Sequence, residues 1–95
     1  MLHVIAHIRA KREHAGAVRA VLTGFVAPTR AEAGCAVYDL FQNLDDPTRF
    51  TFVEEWTDKA ALDAHGQSAH ITSGRAALKD LVEGPAEILL YSRLA

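Results

Sequence analysis

The sequence predicts an α+β domain whose elements run β-α-β-β-α-β. Three observations carry this. Four short segments are rich in β-branched and aromatic residues, two longer ones have apolar residues at helical spacing, and turn residues separate them. Residues 2–10 form the first strand, with Val4, Ile5 and Ile8 apolar and Arg9 near its end. Residues 12–31 place Val18, Val21, Leu22, Phe25 and Val26 on one helical face. Pro28 has no N–H to donate, so it kinks or ends that helix. Gly34 then releases the chain into a second strand, Cys35 to Gln42.

Asn43-Leu44-Asp45-Asp46-Pro47 is a turn cluster, and the third strand follows from Phe50 to Trp56. Thr57 or Asp58 caps the next helix, which Gly66 interrupts. A further helical segment carries Ile71, Leu78, Leu81 and Val82. Gly84-Pro85 ends it, and residues 87–94 form the last strand. This order is that of the ferredoxin-like fold, an antiparallel four-stranded sheet with helices on one face. Strands one and four are apolar at neighbouring positions (Val4-Ile5, Ile88-Leu89-Leu90), so both faces of the sheet carry apolar residues. The helices of one chain cover a single face. A second copy of the chain is the simplest cover for the other, which predicts a homodimer joined sheet to sheet.

At 95 residues, the chain reads as one domain over 1–95. Its 49% hydrophobic and 23% charged residues are ordinary for a folded domain and exclude disorder. The net charge of −2 and the lack of a basic cluster give no footprint for nucleic acid. A single cysteine, Cys35, allows no internal disulfide. The opening residues do not pattern as a signal peptide, and no window reaches the length of a membrane span. The expected location is the cytoplasm.

The chemistry concentrates between Arg49 and His70. Phe50, Phe52, Glu54 and Trp56 share parity on the third strand, so one acid is embedded in an otherwise apolar face. A buried acid needs a partner or a task. The bland alternative is a core tryptophan beside an ion-paired glutamate at the sheet margin. His65 follows on the next helix and is a candidate general base; Glu54 either orients it or is itself the base. His70 is a candidate substrate contact or a cap on the segment that follows. In an unbroken helix a five-residue step turns about 140°, which separates His65 from His70 and argues against a metal site. Asn43 shares parity with Asp39 on the second strand, and Tyr38 with Gln42; either pair is a candidate for polar contacts to a ligand, although hairpin-end structure is the commoner use of Asn. Phosphate loops, dinucleotide fingerprints and hydrolase elbows are absent from the sequence.

Taken together, several stretches resemble the antibiotic biosynthesis monooxygenase family. They are Glu32-Ala33-Gly34-Cys35, Tyr38-Asp39-Leu40-Phe41-Gln42, Asp46-Pro47-Thr48-Arg49-Phe50, Glu54-Glu55-Trp56, Ala61-Leu62-Asp63-Ala64-His65 and Ser68-Ala69-His70. The resemblance covers essentially the whole chain. It implies a dimeric α+β barrel with a pocket between sheet and helices in each subunit. It further implies oxidation of a small aromatic quinol, phenol or anthrone by O₂ without cofactor or metal. Such chemistry needs a base (His65 or Glu54), an aromatic wall (Phe50, Phe52, Trp56) and donors to the substrate oxygens (Tyr38, Asn43, Arg9). Family members also degrade haem or isomerise a phosphorylated sugar-derived signal, and the haem-degrading ones use an Asn on the first strand where this chain offers only His3 and His7. The alternatives to an oxygenase are a non-catalytic small-molecule-binding protein and an isomerase that makes no use of O₂.

Overall fold

The computed structural model describes residues 1–95. Its elements are β1 (Leu2–Arg9), α1 (Ala15–Gly24), α2 (Val26–Arg30), β2 (Cys35–Gln42), β3 (Arg49–Trp56), α3 (Lys59–Gly66), α4 (Ala69–Leu78) and β4 (Glu87–Tyr91), with a 3₁₀ turn at Arg12–His14. The strands make one sheet of order β2-β3-β1-β4, and every neighbouring pair is antiparallel. This is the ferredoxin-like α+β fold predicted from the sequence. The sheet is open, with β2 and β4 as its edges, so the single chain is not a closed barrel.

Strand parity decides which residues meet the helices. Val4 and Ala6 on β1, Tyr38 on β2, and Phe50, Phe52, Glu54 and Trp56 on β3 are all buried. They pack against Val18, Leu22, Phe25 and Ile71 from the helical layer. The intervening residues point to the other face, where Ile5, Val37 and Val53 are half-buried and Phe41 and Tyr91 are exposed. Apolar side chains therefore do occupy both faces of the sheet. No helix is long and apolar enough to cross a membrane.

Two boundaries differ from expectation, each for a local reason. The helix expected over residues 12–31 breaks at Phe25, between α1 and α2. Pro28 lacks the N–H that would bond back to the carbonyl of Gly24, so the i→i−4 ladder fails one turn before the proline. The last strand stops at Tyr91 rather than Leu94. The ladder with its partner β1 ends at the His3–Tyr91 pair, so the residues after Tyr91 have no strand to pair with. The Gly66 interruption falls as expected: α3 ends there and α4 begins at Ala69. Asp58 caps α3, its carboxylate accepting the Ala61 N–H at 2.8 Å.

Close approach fixes two glycines. Gly34 has φ +85°, and a β-carbon there would lie 2.6 Å from the Ala61 β-carbon and 2.7 Å from Thr57 Oγ1. At Gly74, on α4, a β-carbon would sit 2.0 Å from Phe25 Cε1. These contacts seat α3 on the entry to β2 and seat α4 on the ring of Phe25.

Candidate active site

Near its end, β3 carries an acid and an indole on the same face. Trp56 is 0% exposed and Glu54 is 4% exposed. The Trp56 Nε1–H donates to Glu54 Oε1 at 2.8 Å, which supplies the partner a buried acid requires. Burial pushes the Glu54 carboxyl up from its usual range. The Trp56 hydrogen bond and the charge of His65 oppose that rise, and the Glu32 carboxylate adds to it. Burial also pushes the Tyr38 phenol upward, with the Glu54 charge as the next cause.

His65 closes the last turn of α3 and is 7% exposed. Its ring lies 4.8 Å from the Trp56 ring and 5.4 Å from that of Tyr38, centroid to centroid. His65 Nδ1 is 2.7 Å from Glu32 Oε2. An ionised carboxylate has no hydrogen to give, so Nδ1 carries a proton, and in the neutral imidazole Nε2 is left as an acceptor. Glu32, and not Glu54, is thus the residue that orients His65. Glu32 lies in the turn after α2, thirty-three positions before His65 in the chain. No spacing rule connects the two.

A cavity of about 580 Å³ lies between the sheet and α1, α3 and α4. Tyr38, Phe52, Glu54 and His65 all line it, with Phe25, Leu62 and Ile71 completing an aromatic and aliphatic wall. Four of the residues singled out from the sequence therefore share one compartment. Trp56 stands behind the wall, packed on His65, and does not reach the cavity. His70 does not line it either. Its Nε2 lies 2.9 Å from Thr29 Oγ1 and 3.4 Å from Glu32 Oε2. The N-cap of α4 is Ser68, so His70 is not the cap. The step from His65 to His70 crosses the break after Gly66, and the two rings approach to 6.1 Å. The separation expected of an unbroken helix therefore does not apply.

Phe50, Asn43 and Arg9 belong elsewhere. They line a second cavity, of about 590 Å³, at the β2–β3 hairpin end of the sheet. Asn43 Oδ1 there accepts the backbone N–H groups of Asp45 and Asp46, which is a turn-stabilising role. Arg9 reaches Asp46 at 4.0 Å. The wall expected from three aromatic residues reduces to Phe52 alone, joined by Tyr38 and Phe25. Phe25 stacks on Phe52 with centroids 6.4 Å apart, a role that its helical spacing alone does not reveal.

Fold and site together define a small α+β protein with one aromatic-walled cavity, floored by an acid and a carboxylate-held histidine. Comparison with known proteins makes the class specific. The family model described as antibiotic biosynthesis monooxygenase matches residues 1–77, and the chain belongs to that family. It is similar to the Mycobacterium tuberculosis protein named "Putative monooxygenase Rv0793", at 34% identity over 96% of this chain and 89% of the relative. It is similar also to "Putative monooxygenase YcnE" of Bacillus subtilis, at 32% identity over 94% of each chain. Among solved structures, PA3566 from Pseudomonas aeruginosa superposes with a TM-score of 0.94 at 39% identity, over 99% of this chain and 94% of that one.

Proposed function

We propose that this protein is a cofactor-independent monooxygenase that oxidises a small aromatic quinol, phenol or anthrone with O₂ and acts as a homodimer. The observation that carries the reading is His65: it lines an aromatic cavity with Nδ1 committed to Glu32, so Nε2 is the nitrogen available to a substrate proton. Triplet O₂ reacts slowly with closed-shell molecules, and a substrate anion that can pass on one electron removes that obstacle. A free phenol has a pKa of about 10, so proton removal near neutral pH needs both a base and a donor to the oxyanion. Tyr38 lines the same cavity, and its raised pKa keeps it a donor at neutral pH. Phe25, Phe52 and Tyr38 would hold a flat ring and exclude water from the anion.

The overall change balances without an external reductant. An anthrone CH₂ becomes a carbonyl, one oxygen atom entering the product and the other leaving as water. The two protons and four electrons come from the substrate. For a hydroquinone the product is a hydroxyquinone and water.

The dimer reading rests on the uncovered sheet face, where Ile5, Val37, Val53 and Phe41 stand without helices. Light scattering at micromolar concentration tests it, with two chains expected.

An oxygen electrode tests the chemistry. A candidate quinol or anthrone should draw O₂ faster with protein than without, and His65→Ala should lower that rate at least tenfold while the fold persists. Binding of the aromatic without O₂ uptake would instead mean a binding protein. Conversion under argon would mean an isomerase.

A further inference from the structure

We propose that Glu32, His65 and His70 form a site for one divalent transition-metal cation of the kind zinc represents. This goes beyond the oxygenase reading and does not rest on it. The three ligand atoms lie within 4.8 Å of one another, although they come from the turn after α2, from α3 and from α4. Two imidazoles and a carboxylate are the donor set that zinc and its first-row neighbours take. The break after Gly66 is what turns both rings toward one carboxylate; a continuous helix would separate them.

The pairing of Glu32 points the same way. Glu32 pairs only with the two histidines, and no Lys or Arg lies within ion-pair reach of it. His65 Nδ1–H satisfies Glu32 Oε2 at 2.7 Å. His70 Nε2 then faces two oxygens, Glu32 Oε2 at 3.4 Å and Thr29 Oγ1 at 2.9 Å. A protonated Nε2 must divide one hydrogen between them. An unprotonated Nε2 takes the Thr29 hydrogen and leaves its contact with the carboxylate without any. The short bonds of His65 to Glu32 and of His70 to Thr29 hold the three side chains in place, and the one carboxylate facing both rings has no resident cationic side chain beside it.

Zinc–nitrogen bonds of about 2.0–2.1 Å bring two imidazole nitrogens to within about 4.2 Å of each other, so seating the cation draws the His65 and His70 rings together as well as turning Glu32. The cation would displace the Nδ1 proton of His65. That proton moves to Nε2, so a neutral, metal-loaded His65 donates there and accepts nothing.

The test uses protein without a polyhistidine tag, near neutral pH, titrated with Co²⁺ by visible absorption and with Zn²⁺ by calorimetry. One cation per chain is expected, with cobalt bands of a nitrogen-and-oxygen site. His70→Ala and Glu32→Gln should each weaken binding at least tenfold, and His14→Ala, in the 3₁₀ turn before α1 and outside the cluster, should leave it unchanged. Circular dichroism checks that each variant is folded. No stoichiometric binding below about 1 mM, equivalent to a free energy of only about 4.1 kcal/mol, overturns the proposal. So does equal affinity in His70→Ala and Glu32→Gln. Neither result bears on O₂ uptake by the metal-free protein, so the two readings fail separately.

Discussion

The indole N–H of Trp56 donates to Glu54 Oε1 across a two-residue step of β3, and neither side chain has meaningful access to solvent. The bond satisfies the acid from within its own strand, and it leaves the second carboxylate oxygen without a hydrogen-bond partner. An acid held at one oxygen beside a cavity is an asymmetric arrangement, fixed in place yet still open to a ligand.

The first prediction follows from that bond. Trp56→Phe keeps an aromatic body but removes the donor, so Glu54 is left buried and unpaired. The expected cost is about 1–3 kcal/mol, together with the loss of packing. In a Glu54→Leu background the same change should cost less, because no acid remains to be stranded. Urea denaturation of the four proteins gives the coupling, expected at about 1 kcal/mol or more. Additive effects would mean that the bond contributes nothing.

Stability should also respond to Glu54 through pH. Its folded-state pKa is raised, chiefly by burial, so the fold binds this proton more tightly than the unfolded chain does. The resulting stabilisation is fully present below the unfolded carboxylate pKa of about 4.3 and is lost as pH rises through the folded value. Glu54→Gln keeps an acceptor for Trp56 and has no charge to bury. The variant should therefore gain on the parent as pH rises from 4 towards 8, in denaturation midpoints measured at each pH. Asp46 has the opposite slope, its carboxyl held low by hydrogen bonds from Thr48, but it is common to both proteins and cancels. A difference that does not change with pH would show Glu54 to be unperturbed.

Packing around Gly74 makes a third prediction. A β-carbon there meets the edge of the Phe25 ring at 2.0 Å, and a ring in a packed wall cannot swing away freely. Gly74→Ala should cost about 1–3 kcal/mol. Because Phe25 lines the cavity and stacks on Phe52, the substitution should also weaken binding of a flat aromatic ligand. Phe25→Leu in the same chain should recover part of the stability. Thermal melts and ligand titrations of the parent and the two variants would report both effects.

Glu32 acts on His65 without lining the cavity. Under the oxygenase reading it is a positioning residue, and Glu32→Gln should lower kcat by about tenfold with little change in KM. Glutamine still accepts the Nδ1–H, but it does not offset charge developing on the imidazole. Glu32→Ala, which also removes the orienting bond, should lower kcat further. Equal rates in parent and alanine variant would remove Glu32 from the chemistry.

Much of the fold was legible because strands and helices write their periods into the chain. Parity alone put Glu54 and Trp56 on one face, and they are bonded there. Parity names a face, however, and not a position along it. Phe50 shares the face of Phe52, but at about 3.4 Å per residue it stands roughly 20 Å from Trp56, near a different cavity. Arg9 and Asn43, named as donors by residue type, stand at that same end. The pairing of His65 with Glu32 was not legible at all. It depends on how the turn after α2 is laid over the end of α3, and Gly34, pressed against Thr57 and Ala61, fixes that docking. His70 was misread because a break of two residues between helices resets the angular count on which spacing arguments depend.

The cavity's remaining boundary is the β4 edge, where Ile88 is 58% and Leu90 47% exposed although both line it. A chamber with rings on one side and a half-wetted strand edge on the other is lopsided: its ring side is sealed by packing, and its strand side stays sealed only while something covers β4.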